Sequence, residues 1–341
     1  MPAKPRRRRV HLVCPKPGSG LAHDHRILES ALRGLGLHCP RFPHPGHGPE
    51  SKRFRLARVL NPSLWFGGYD LNVFLEEIDL RWLGMARRQV LVPNQEWLRD
   101  DTRALLPRMD LVLCKTRHAE SIFADLGCRT RFCGFSSPDR ACLAGRVPYP
   151  APAHYAEPRP IHVAGVSQAK GTRVLLEVWA RNPRWPRLTV VARPIVTADL
   201  PAPPPNVRLV HEYLSDRALG QLMAAHNLHL CPSEAEGWGH TLVEAMSCAA
   251  VVLTTDAPPM SELIAPERGV LVPPAGSEPM RAGTRYWLEA DALEAAVDAL
   301  LGRSSEELRS AGHAARRWYE QNEARFADSI AALFEWPEIA G

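Results

Sequence analysis

Short apolar runs alternate with amphipathic stretches along most of the chain. The first run is VHLVC at residues 10–14, followed by the loop KPGSG and a helical pattern over residues 25–35 that Gly34 and Gly36 close. Strand, glycine loop and helix together open a βα unit. LNVFLEEI (71–78), RQVLVPN (88–94) and LVLCKT (111–116) each predict a short buried strand ending in polar residues. Residues 118–126 predict a helix stopped by Gly127, and RFCGF (131–135) a further strand. Repeated βα alternation predicts a doubly wound parallel sheet, with sites at the carboxyl ends of its strands.

Residues 136–160 are rich in proline and small residues and read as a linker. A second βα series follows it. IHVAGVS, LTVVAR, the end of PPPNVRLVHEY, LHLCP, VVLTT and GVLVP are strand-like, with SELIA continuing the alternation. GTRVLLEVWA, DRALGQLMAAH and DALEAAVDALL are helical, as are residues 313–336. At 341 residues the chain has room for two cores. The expected division is 1–155, 156–312, and a C-terminal helical segment 313–341.

Composition adds limits. No apolar run approaches the roughly 20 residues of a spanning helix, and the basic start KPRRRR runs into VHLVC and Pro15 instead of a long apolar segment, against a signal peptide. Eight scattered cysteines without CxxC spacing read as reduced thiols of a cytoplasmic protein. No His/Cys cluster has ligand spacing, so no metal is expected. Residues 1–155 hold 25 Lys/Arg against 14 Asp/Glu, and the remainder 17 against 23. The basic first half suits an anionic acceptor or peripheral contact with an anionic membrane at the inner face; surface preference for Arg explains it equally well. No motif accompanies the charge to suggest nucleic acid.

The densest chemistry lies in CPSEAEGWGHTLVEAMSCAAVVLTTD, from Cys231 to Asp256. A strand closed by Pro232 leads into a glycine-broken loop holding Glu236, and Glu244 falls about one turn into the helix that follows. Such a unit aims backbone N–H groups and a helix dipole at a phosphate. Two carboxylates beside it can accept from paired hydroxyls of a ribose or hexose. Glutamate spacing alone is common on solvated surfaces. Pro-Ser before, Glu-Gly-aromatic-Gly within and Glu-Ala-Met after make a longer match, which resembles the retaining nucleotide-sugar glycosyltransferases of family 4 (glycosyl transferases group 1).

That resemblance implies a GT-B fold, in which two Rossmann-like doubly wound domains face across a cleft, the first on the acceptor side and the second on the donor side, with the last helix returning to the first domain. It implies that Glu236 contacts the donor sugar and Glu244 holds the nucleotide ribose. Lys170, in AGVSQAKGT, stands at the family's Lys-Gly, which pairs with the diphosphate. The family commonly has an arginine where this chain has Gly165; Ser167 or Arg193 could compensate. Backbone N–H groups around Gly237, Gly239, His240 and Thr241 face the donor, and Gly18 and Gly20 form the first domain's glycine loop. On the acceptor side the candidates are Asn94, Glu96 and His118, with Lys115 beside them. The activity implied is transfer of a sugar from a UDP- or GDP-type donor to an acceptor hydroxyl with retention, without metal or cofactor. Alternatives are a GT-B epimerase or phosphorylase, or a non-catalytic sugar-binding scaffold.

Overall fold

A computed structural model describes residues 8–14, 19–37, 39, 68–335 and 339. Its contacts separate two units, Met1–Phe135 with Arg325–Gly341, and Ser136–Ala324.

The first unit contains a parallel sheet of β1 (Val10–Val13), β2 (Tyr69–Leu75), β3 (Ala86–Val92), β4 (Leu111–Cys114) and β5 (Thr130–Phe132), in that order. Helices α1 (Ser19–Gly34), α2 (Asp100–Arg103) and α3 (Arg117–Asp125) accompany it. The predicted strands are present because their central residues are apolar on both faces. Leu71, Phe74, Leu91 and Leu113 are fully buried among them. Thr116 starts α3 by accepting a hydrogen bond from the Ala119 N–H at 3.1 Å. Helix α1 begins at Ser19, well ahead of the apolar-periodic stretch that marked it in the sequence.

The second unit carries β6 (Pro160–Gly165), β7 (Leu188–Ala192), β8 (Val207–Val210), β9 (Leu228–Cys231), β10 (Val251–Thr255) and β11 (Gly269–Val272). Its helices are α4 (Arg140–Leu143), α5 (Thr172–Arg181), α6 (Pro194–Thr197), α7 (Asp216–Ala224), α8 (His240–Ser247), α9 (Met260–Leu263), α10 (Ala290–Leu301) and α11 (Ser305–Ala331), the last of which passes into the first unit from Arg325. Trp179, Leu175, Val190, Leu228, Leu253 and Leu293 form the centre of its core. The proline-rich stretch is more ordered than a bare linker, since Asp139 caps α4 by accepting from the Cys142 N–H at 2.9 Å. An antiparallel hairpin, β12 (Gly276–Met280) with β13 (Gly283–Trp287), had no counterpart in the sequence reading. Gly283 alone among its residues is buried, so it lacks the apolar face on which that reading depends.

The strand order is β11-β10-β9-β6-β7-β8, with all pairings parallel. The chain runs outward from β6 to β8, then returns to lay β9 against the other side of β6. The order therefore reverses between β6 and β9. In open parallel sheets, ligands bind outside the carboxyl ends of the strands at such a reversal. The loops leaving β6 and β9 carry Lys170 and Glu236.

Candidate active site

Two glycines bring these loops together. Gly171, at φ 68°, precedes α5, and a Cβ there would lie 2.1 Å from the Pro232 carbonyl oxygen. Only glycine permits both that conformation and that approach. Gly239, at φ 96°, starts α8, with Leu263 and Leu242 closing on the space a side chain would need. The Glu234 N–H donates to the Ala169 carbonyl at 2.9 Å, so the loops also share a backbone bond.

As a result the Lys170 ammonium donates to Oε1 of Glu236 and lies 3.4 Å from Oγ1 of Thr241. Both members of the ion pair are largely sheltered. The first turn of α8 contributes backbone N–H groups beside the cation. A cation at a helix N-terminus is an anion site, and Glu236 adds an acceptor for hydroxyls next to it. Under the loops, His162 of β6 contacts the Leu230 carbonyl through Nδ1 at 2.7 Å and Thr172 Oγ1 through Nε2 at 2.9 Å. It ties β6, β9 and the start of α5 together. Burial pushes its pKa down to about 4, so the ring is neutral near pH 7. Burial pushes the nearby Cys231 thiol up to about 12, which leaves it unsuited as a nucleophile.

Glu244 lies in α8, 3% exposed, and its Oε1 accepts from Nη2 of Arg140 at 2.7 Å. Arg140 is 1% exposed, and its Nη1 reaches Oδ1 of Asp216 at 3.0 Å. Its backbone N–H donates to Ser247 Oγ at 2.9 Å. Ser137, in the same segment, accepts from the Trp238 indole at 3.1 Å and contacts Nδ1 of His240 at 2.9 Å. The indole is a donor only, so the Ser137 oxygen accepts from it and keeps one lone pair and its hydrogen for the His240 ring. Sequence reasoning missed Arg140, Ser137 and Asp216, because Arg140 and Ser137 sit in the proline-rich stretch. The available signal was Asp139, a helix cap within it.

The remaining candidates are dispersed. Ser167 caps its own loop, its Oγ accepting from the Ala169 N–H at 3.3 Å. Arg193 starts α6 and directs its exposed guanidinium to the His211 carbonyl at 3.1 Å. Gly165 adopts φ 58° at a register shift in β6. Gly237 lies in the loop ahead of Gly239. Gly18 falls outside the described residues, and Gly20 lies in α1, where a Cβ would meet nothing within 4 Å.

In the first unit Asn94 does meet other polar groups. Its Nδ2 donates to Glu76 at 2.9 Å, and its Oδ1 accepts from buried Lys115 at 2.9 Å. Lys115 in turn pairs with Asp24 at 2.5 Å. Burial raises the Glu76 pKa. Glu96 is buried in a 3-10 turn and His118 is in the first turn of α3. Among the described residues no group of three or more His, Cys, Asp or Glu could hold a metal, and no helix is long and apolar enough to cross a membrane.

Comparison with known proteins places this geometry. Residues 204–300 match the sequence profile of glycosyl transferases group 1. The match covers less than a third of the chain. It includes Asp216, Glu236 and Glu244, whereas Lys170 and Arg140 precede it. A search of curated proteins finds no match. Sucrose-phosphate synthase from Thermosynechococcus elongatus matches in structure with a TM-score of 0.68 at 18% identity, covering 96% of this chain and 98% of that one. A glycosyltransferase from Rickettsia africae ESF-5 gives 0.69 at 13% identity over 97% and 99%. Anabaena HepE in complex with UDP-glucose gives 0.66 at 17% identity over 97% and 100%. The chain thus has the GT-B fold, with two Rossmann-like domains.

Proposed function

We propose that this protein is a retaining glycosyltransferase that moves a hexose from a nucleotide-diphosphate sugar to an acceptor hydroxyl. The observation carrying this reading is the convergence of Lys170, Glu236 and the start of α8 at the β6/β9 reversal, with Glu236 and α8 inside the span that matches the group 1 profile. Lys170 and the α8 N–H groups stabilise charge developing on the leaving diphosphate. Glu236 orients the donor sugar and Glu244 holds the ribose. Transfer occurs on the front face, with a diphosphate oxygen taking the acceptor proton. The first unit supplies the acceptor contacts, Asn94 among them, and its basic residues support peripheral binding to anionic lipid. Charge on the leaving group is met by the chain's own residues, so turnover should survive EDTA.

HepE's complex makes UDP-glucose the first donor to try. The test is a thermal-shift screen of UDP-, GDP-, ADP- and TDP-sugars, with Glu244→Ala beside the wild type. A donor at about 100 times its Kd adds roughly 2.7 kcal/mol. Stabilisation of the wild type by one donor class and not of the variant is expected, followed by an acceptor screen with NMR assignment of the product anomer. An inverted anomer would overturn retention. Conversion of donor without acceptor would point to an epimerase, and binding without turnover to a scaffold.

A further inference from the structure

Glu244 is gripped at two points by one residue. The Arg140 guanidinium takes its Oε1, and the Arg140 backbone N–H binds Ser247 Oγ, whose hydroxyl donates to the Glu244 carbonyl at 2.6 Å. The guanidinium is itself anchored by Asp216, at the first residue of α7. Helix α7 comes close enough for this because of Gly220, where a Cβ would lie 2.8 Å from the Arg140 carbonyl oxygen. Burial would lower the Arg140 pKa, but Glu244 and Asp216 outweigh it and keep the group charged.

Stability alone does not account for this arrangement. A buried ion pair is commonly no better than an apolar pair of the same shape. Here it also leaves Nε of Arg140 without a hydrogen-bond partner among the described residues, which is a cost. What the arrangement does achieve is to fix the Oε1 atom of the Glu244 carboxylate on a guanidinium that is itself buried and anchored.

We propose that Arg140 is a positioning residue for nucleotide recognition, fixing the Glu244 carboxylate in the orientation that receives the ribose hydroxyls, with Asp216 holding Arg140 in register. This rests on the reading of Glu244 as the ribose residue.

The experiment measures ribose discrimination. Affinities for UDP, GDP and ADP and for their 2′- and 3′-deoxy counterparts are determined by calorimetry for the wild type and for Glu244→Ala, Arg140→Gln, Arg140→Lys and Asp216→Asn. The wild type should prefer the ribonucleotide by about tenfold or more, the value of a hydrogen bond to a charged group. Arg140→Gln should bring the ratio to within about twofold, Arg140→Lys should restore part of it, and Asp216→Asn should lower it by a few-fold. A general loss of packing would weaken ribo and deoxy ligands alike and leave the ratio unchanged. If Glu244→Ala loses discrimination while folded Arg140→Gln keeps it, the positioning role is overturned and the ribose reading stands. Should the Arg140 variants fail to fold, an unchanged ratio in Asp216→Asn, whose side chain is 47% exposed, overturns the role instead. If the wild type itself does not discriminate, or Glu244→Ala still does, the ribose reading fails and takes this inference with it.

Discussion

Lys170 and Glu236 neutralise each other in the sheltered space between two loops, so structural and chemical roles must be separated. Removing one partner of a sheltered pair leaves the other uncompensated and costs stability. Lys170→Ala should therefore lower both the melting temperature and kcat. The kcat loss should be about 10²–10³, typical of deleting a group that stabilises transition-state charge. Lys170→Ala combined with Glu236→Ala should regain much of the stability and none of the activity. Recovery of activity in the double variant would mean that the pair serves the fold alone. Gly165 gives a second residue-scale prediction. Its φ of 58° is strained for a side-chain-bearing residue, so Gly165→Arg should destabilise by about 1–2 kcal/mol. The added cation, at the position where the resembling family has one, should nonetheless tighten donor binding in calorimetry. No gain in affinity would show that Lys170 and α8 already suffice.

Among the elements, the β12–β13 hairpin is the one whose position bears on the site without having been foreseen. The Tyr286 N–H donates to the Glu234 carbonyl at 2.8 Å, while the Glu234 N–H binds the Ala169 carbonyl in the Lys170 loop. Arg285 also pairs with Glu234 at 2.6 Å. That pair is half exposed on the Arg285 side, so Arg285→Ala should cost under about 1 kcal/mol. Replacing residues 276–287 with a short glycine turn removes the backbone bond too, and should lower kcat/KM for the donor while circular dichroism reports an intact sheet. Unchanged kcat/KM would make the hairpin irrelevant to the loops. The contrast with the main sheets is physical. LTVVAR and VVLTT were legible because burial on both faces demands unbroken apolar residues, and Glu236, Glu244 and Lys170 were legible because glycines and a strand end framed them. The hairpin is held by backbone bonds and exposed charge, neither of which leaves a periodic trace. Arg140 escaped because its partners lie 76 and 104 positions away along the chain. No local pattern marks such a pairing.

At the scale of the molecule, the second unit carries buried histidines that should make the protein sensitive to acid. Burial pushes His162 down to about 4 and His229 to about 3, and it also lowers His154 and His226. Unfolded, each titrates near 6.5. Between about pH 6.5 and those lower values the unfolded chain holds protons that the folded chain does not, so stability rises with pH across the window and is lost as pH falls through it. Each unit of separation corresponds to about 1.4 kcal/mol. Glu76 and Glu323, raised by burial, act in the opposite direction, because the folded chain takes up their protons first. Two fully buried imidazoles with separations this wide should outweigh them. Calorimetric melting should therefore be flat between about pH 7 and 8 and fall steadily toward pH 4.5. The site should fail together with the fold. His162 holds Thr172 and the Leu230 carbonyl in its neutral form, and a second proton on the ring would remove the acceptor that Thr172 uses. In His162→Gln the slope of melting temperature against pH should be shallower than in the wild type, even if the variant starts lower. A wild-type melting temperature that stays level or climbs as the solution is acidified would contradict this account.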